Sequence, residues 1–174
     1  MDETRNPKIA LEHDLKNLIS GEWVDSNAKI EVRNPYTNKV IGTVPCMGLE
    51  DVMRAIDGLY EYEPTLTAYQ RAEILRATAD EITQRKEELA YGISLESGMS
   101  LKDSTKEVGR GVGLLTVAAE EAKRINGEQL PSDVDSSGAD KIILAMRFPV
   151  GLISAIVPFN RPMNQVVVKV APAI

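Results

Sequence analysis

One carboxamide, Asn160, stands where its chemistry is easiest to place: in the stretch Gly151 to Ile174 (GLISAIVPFNRPMNQVVVKVAPAI) an apolar run gives way to a helical pattern. Leu152 to Val157 is almost unbroken in apolar side chains, which predicts a strand covered on both faces, as in a parallel sheet. Pro158 closes it. Phe159-Asn160-Arg161-Pro162 then forms a tight connection, with Pro162 at a first helical position where a missing N–H costs nothing. Val166, Val167, Val170 and Ile174 recur at helical spacing, and Pro172 predicts that this helix ends near there. Ligands of open α/β sheets sit outside the carboxyl ends of strands, beside helix N-termini whose free N–H groups favour negative charge. A carboxamide at that junction can hold an oxyanion beside a dinucleotide.

The other reactive side chains are read more plainly. Cys46 is the only thiol. No His, Lys or Arg adjoins it in sequence to activate it, and it is expected to be a small half-buried residue. His13, the only imidazole, lies in a polar stretch without a metal-ligand partner and is read as a solvated side chain. Gly109-Arg110-Gly111-Val112-Gly113 follows no strand and lies inside a helical pattern, so it predicts a close helix crossing rather than a phosphate cradle. Glu107, Glu120 and Glu121 are read as solvated helix faces. Metal ligation is not expected.

The elements that must position Asn160 follow from periodicity. Ile30 to Val32 and Val40 to Val44 flank the turn-rich Asn34-Pro35-Tyr36-Thr37-Asn38 and predict a β-hairpin, with Trp23 packed beneath it. A first helix, Leu49 to Leu59, carries Val52, Ala55, Ile56 and Leu59 on one face. A second opens on Thr67 and Gln70 at capping-box spacing and shows Leu75, Ala79, Ile82, Leu89 and Ile93 before stopping by Gly98, with Glu96-Ser97-Gly98 as its end. The third starts at Ser100 and Asp103, carries Val108, Val112, Leu115, Ala119 and Ala122, and stops at Asn126-Gly127. Pro131 to Asp140 is a polar loop, and Lys141 to Phe148 is strand-like.

Composition narrows the class. Twenty-six acidic against twenty basic residues give a net charge of −6 and no basic face, which argues against nucleic acid as a partner. A single cysteine leaves no disulfide framework, fitting a reducing, cytoplasmic setting. No run has the length or apolarity of a membrane span, and the first thirty residues lack the apolar core of a signal peptide.

Six strings, in order, carry a resemblance: SGEWVDS, IEVRNPYTNKVIGTVP, YQRAEILRATADEI, ISLESGMSLKDSTKEVGR, AAEEAKRINGE and PVGLISAIVPFNRPMNQVVVKVAPAI. Together they resemble the amino-terminal portion of the NAD(P)-dependent aldehyde dehydrogenase superfamily, the last containing its Pro-aromatic-Asn motif. In that family a cysteine thiolate attacks the aldehyde, a hydride leaves the thiohemiacetal for the nicotinamide, and a glutamate activates water against the thioester. By resemblance Asn160 donates to the developing oxyanion, and Ile156, Val157, Pro158 and Phe159 line the cofactor, NAD or NADP. Lys169 matches a recurring lysine without an assigned role.

The resemblance implies an α/β fold divided into four parts. Residues 1–17 form a polar tail, 18–130 the hairpin and helices of the NAD(P)-binding domain, 131–150 a loop and oligomerisation arm, and 151–174 the first strand and helix of a Rossmann-like core. Such an arm adds to a neighbouring subunit's sheet, so a homo-oligomer is expected at full length. The family's nucleophile and general base lie downstream of the motif, and no strand follows Lys169 to pair with Leu152 to Val157. The chain is therefore expected to be a truncated frame or partial sequence that does not turn over an aldehyde alone. SGMSLKDSTKEVGR and PFNRPMNQVVVKVAPAI most resemble the branch acting on phosphonoacetaldehyde, lactaldehyde and other small anionic or hydroxylated aldehydes. Arg161, where an aromatic or His is more usual, is either a cation that attracts an anionic substrate or a surface arginine. The alternative function is a non-catalytic oligomerisation or dinucleotide-binding module. NAD against NADP, and hydrolytic against CoA-acylating chemistry, stay open.

Overall fold

A computed structural model describes residues 15–63 and 65–174; His13 and most of the predicted tail lie outside the described residues. The fold begins with two antiparallel ribbons, β1 (Asn17–Ile19) with β2 (Glu22–Val24) and β3 (Lys29–Arg33) with β4 (Val40–Pro45). The second is the predicted hairpin. Its turn is organised by Asn34, whose Oδ1 accepts the N–H groups of Tyr36 (3.1 Å) and Thr37 (2.8 Å), the self-bonding that makes Asn a turn residue. The Asn34 Nδ2 donates to the Leu95 carbonyl at 2.9 Å and so ties the hairpin to the helices. Trp23 does not pack beneath it. The indole sits on β2, 68% exposed, because a two-stranded ribbon brings no second layer against that face.

Five helices follow: α1 (Leu49–Tyr60), α2 (Ala68–Gln84), α3 (Lys86–Ser97), α4 (Leu101–Glu121) and α5 (Pro162–Val170). The Thr67/Gln70 capping box forms as its spacing requires: Thr67 Oγ1 accepts from Gln70 N at 3.2 Å and Gln70 Oε1 accepts from Thr67 N at 2.9 Å. The helix predicted to run on to Gly98 is instead two helices. Arg85 (φ −96°, ψ 17°) ends α2 and opens α3, and its guanidinium grips Glu88 through two bonds of 3.0 and 2.6 Å. The break lets Ala90 and Ile93 form a separate cluster with Val108, apart from the one built on Leu75, Ala79 and Leu115. Gly98 (φ 72°) ends α3 as predicted, in the left-handed region that favours glycine.

The helix α4 is the hub, packing against α2, α3 and α5. Its start is as read, with Ser100 Oγ accepting from Asp103 N at 3.2 Å. Its end comes before Asn126-Gly127, because bonds tighten to the i−3 carbonyl at Lys123 and Arg124 (3.3 and 2.8 Å) and unwind the last turn. By contrast α1 buries no residue. The stripe Val52, Ala55, Ile56 and Leu59 is only partly covered, Ala55 and Ile56 being half-buried and Val52 and Leu59 exposed, where α1 meets β1 with Gly58 against Ser20.

A third ribbon pairs β5 (Glu128–Leu130) with β6 (Ile143–Ala145) across the predicted polar loop. The strand expected over Lys141 to Phe148 shrinks to those three residues, and Ile142, Leu144, Met146 and Phe148 stay exposed. Leu152 to Val157 forms no strand at all. Leu152 to Ile156 are exposed, Ile156 at 85%, and Val157 is half-buried. Sheets among the described residues are the three two-stranded ribbons, so this run has no neighbour to satisfy its N–H and C=O groups. No described helix is long and apolar enough to cross a membrane.

Candidate active site

The site is built where α5 leans on α4. Pro162 occupies the first helical position, as its fixed φ predicts. Arg161 precedes it with non-helical backbone (φ −147°, ψ 72°), and its side chain makes no capping bond. The first turn of α5 therefore has free N–H groups and no cap of its own. A carboxylate from the neighbouring helix supplies one. Glu107 Oε1 accepts from Met163 N at 3.1 Å and from Asn164 N at 3.3 Å.

Glu107, expected on a solvated helix face, is in fact fully buried (0% exposed), flanked by buried Ser104 and Val108. Its second oxygen, Oε2, has no hydrogen-bond partner among the described residues and lies 3.8 Å from the Arg161 guanidinium. Negative charge at a helix N-terminus is favoured by the dipole as well as by the bonds. A signal for this was present in the sequence: Ser104, Glu107, Gly111 and Leu115 follow one another at helical spacing on the stripe that α4 buries.

Gly111 makes the approach possible. A Cβ there would stand 2.6 Å from Met163 Cε and 3.4 Å from Asn164 Oδ1, whereas Gly109 and Gly113 face open space. The glycine string is thus a helix crossing, as read, and only its central member is needed for it.

Asn160 lies exposed in the turn before α5, three residues ahead of the Met163 N–H that Glu107 holds. Ile156, Pro158 and Phe159 are exposed and Val157 half-buried along the lead-in. Arg161, next in the chain to Asn160, lines a groove of about 540 Å³ between α4 and α5. Its polar lining is Arg110, Arg161, Asn164 and Gln165, over Leu114 and Val117. Arg110 makes no ion pair among the described residues, and Arg161 remains 42% exposed while facing Glu107. Arg110 was hidden in the sequence inside a string read for its glycines. Gln165 Oε1 accepts from Lys169 Nζ at 3.5 Å, one turn along α5.

The remaining candidates do not join them. Cys46, expected half-buried, is exposed after β4, where its N–H donates to the Ala28 carbonyl at 2.8 Å. Glu120 and Glu121 are solvated, as read, but paired: Glu120 with Arg76 (2.7 Å) and Lys123 (3.5 Å), Glu121 with Arg124 (2.7 Å). No metal-binding group of three or more ligands occurs among the described residues.

Comparison with known proteins fits this architecture. Residues 23–174 match the profile of the aldehyde dehydrogenase family. The mitochondrial succinate-semialdehyde dehydrogenase of Arabidopsis thaliana is 38% identical over 164 residues, which cover 91% of this chain and 30% of that protein. The 3-sulfolactaldehyde dehydrogenase of Priestia aryabhattai is 35% identical over 90% of this chain and 33% of its own length. Among solved structures, the NADP-dependent glyceraldehyde-3-phosphate dehydrogenase of Bacillus halodurans C-125, complexed with NADP, superposes with a TM-score of 0.87 at 34% identity, over 92% of this chain and 35% of that one. The chain spans about a third of the length of these relatives. With a profile match from β2 through α5 and a fold that superposes so closely, the chain belongs to the aldehyde dehydrogenase family.

Proposed function

We infer that this chain is the part of an NAD(P)-dependent aldehyde dehydrogenase that carries the oxyanion donor and one wall of the substrate groove, in an enzyme that oxidises an aldehyde to its carboxylate. The observation that carries the reading is the placement of Asn160: exposed, in the turn entering α5, and next in the chain to Arg161, which lines a groove together with Arg110. Asn160 offers its side-chain N–H to the carbonyl oxygen as that oxygen gains charge. A donor fixed in advance needs no reorganisation at the moment of reaction, and removing one oxyanion-hole donor from an enzyme typically lowers kcat by about 10²–10³-fold.

The lead-in Ile156, Val157, Pro158 and Phe159 fits a flat cofactor ring, because Ile156, Pro158 and Phe159 present exposed apolar side chains beside half-buried Val157. When bound, NAD(P) supplies the hydride acceptor. Cys46 takes no part in this reading. It follows β4, remote in the chain from the Asn160 turn, and the 174-residue chain is not expected to turn over an aldehyde by itself.

The favoured substrate is a small anionic aldehyde. Arg110 and Arg161 bring two positive groups to one groove in a chain whose net charge is −6. The planar guanidinium matches a carboxylate, sulfonate or phosphate through paired bonds. The names of the similar proteins, a succinate-semialdehyde, a 3-sulfolactaldehyde and a glyceraldehyde-3-phosphate dehydrogenase, fit such a preference. The test is NAD(P)H formation by the intact enzyme with matched anionic and neutral aldehydes, for wild type, Arg110→Met and Arg161→Phe. Loss of at least tenfold in kcat/KM for the anionic aldehyde alone supports the reading. An unchanged preference removes the anionic substrate, and no aldehyde-dependent reduction of either cofactor removes the dehydrogenase.

A further inference from the structure

The buried carboxylate on α4 has no place in the chemistry described so far, yet it is held with more care than a surface cap needs. An ordinary cap for α5 would be a Ser, Thr, Asp or Asn at the position of Arg161, exposed and inexpensive. This chain instead reaches across from another helix and buries Glu107 completely, leaving Oε2 without a hydrogen-bond partner among the described residues. Burying a carboxylate costs free energy that its bonds must offset. What that arrangement gives, and a local cap would not, is a fixed distance between α4 and the first turn of α5.

The contacts are two-sided. Pro162 has no N–H to give, so Met163 and Asn164 are the first donors of α5, and both point at Glu107 Oε1. One turn further along α4, on the same face, Gly111 lies under the Met163 side chain. Met163 is thus held through its backbone by Glu107 and seated through its side chain on Gly111. The turn Phe159-Asn160-Arg161 leaves from that clamp, and Arg161 is also drawn towards Glu107 at 3.8 Å.

We propose that Glu107 is a positioning residue for the reaction: by anchoring the first N–H groups of α5 from α4, it fixes where the Asn160 carboxamide stands. The proposal rests on the oxyanion role of Asn160 inferred above. It makes the donor's placement depend on α4, the helix that also lines the groove with Arg110, so substrate wall and oxyanion donor share one reference frame. A donor misplaced by about 1 Å can lose on the order of 10²-fold in rate.

The test is a double-mutant cycle in the intact enzyme with Glu107→Gln and Asn160→Ala, and with Glu107→Asp as a second variant that keeps the charge but withdraws it by one methylene. Glu107→Gln and Glu107→Asp are each expected to lower kcat at least tenfold, with cofactor affinity within twofold of wild type. In the Asn160→Ala background the same changes should cost less than a further twofold, because there is no donor left to misplace. Multiplicative losses, or wild-type kcat in both Glu107 variants, overturn the proposal while leaving Asn160 in its role. Wild-type kcat in Asn160→Ala overturns the oxyanion assignment and this inference with it. On the 174-residue chain itself, hydrogen exchange supplies a readout free of activity: Met163 and Asn164 amides should exchange at least tenfold faster in Glu107→Asp, with α2 unaffected. Unchanged exchange there also contradicts the anchor.

Discussion

The terminal methyl of Met163 lies where a side chain on Gly111 would begin, with the ideal Cβ position only 2.6 Å from Met163 Cε. The α4–α5 crossing is therefore closed at this one glycine, while Gly109 on the same helix faces open space. Gly111→Val is expected to destabilise the chain by about 1–3 kcal/mol, the cost of overpacking a closed contact. Gly109→Ala should instead stabilise it by up to about 1 kcal/mol, since only helix propensity changes. Urea unfolding midpoints check both, and equal shifts in the same direction would contradict the crossing.

Two carboxylates should move stability in opposite directions with pH. Burial at the end of α3 holds the Glu96 carboxyl above the usual carboxylate range. The folded state then binds that proton more tightly than the unfolded chain, so its contribution is full below the unfolded value and is lost as pH rises through the folded one. Glu96→Gln should accordingly be more stable than wild type at pH 7, and the two should converge in acid. Glu120 is held low, first by its hydrogen bond from Arg76. Its contribution is present above the unfolded value and is lost as pH falls through the folded one, so Glu120→Gln should be the less stable chain at pH 7 and approach wild type in acid. Unfolding midpoints measured from pH 3 to 8 test the two signs.

Ile142, Leu144, Met146 and Phe148 stand exposed on and around β6, and the uncovered run from Leu152 to Ile156 follows them. A two-stranded ribbon with an open apolar edge is a template for pairing with another chain. The isolated chain is expected to self-associate through this region, and Leu144→Lys with Ile142→Lys should shift it towards monomer in multi-angle light scattering. A monodisperse monomer of the unaltered chain would contradict this.

Local features were the most legible in sequence. Thr67 with Gln70, Ser100 with Asp103, Pro162 and Gly98 each specify one turn through their own side chain or φ, and each took its expected place. Features that depend on distant partners were not. The break at Arg85 falls between residues that join two different clusters, Leu75 and Ala79 before it and Ala90 and Ile93 after it. The apolar run Leu152 to Val157 reads as a strand, yet a strand exists only with a neighbour, and none lies beside it among the described residues. Glu107 was harder to read than its neighbours, although Ser104, Glu107, Gly111 and Leu115 lie on the one stripe that α4 buries. A carboxylate two turns into a polar-looking helix is normally solvated, whereas here it is buried and bonded to the first turn of α5.

The central claim is that Asn160 stabilises the oxygen of the reacting aldehyde. Its most direct test is kcat of Asn160→Ala in the intact enzyme under saturating aldehyde and cofactor. This account predicts a fall of about 10²–10³-fold with cofactor affinity unchanged. A kcat within twofold of wild type would contradict it.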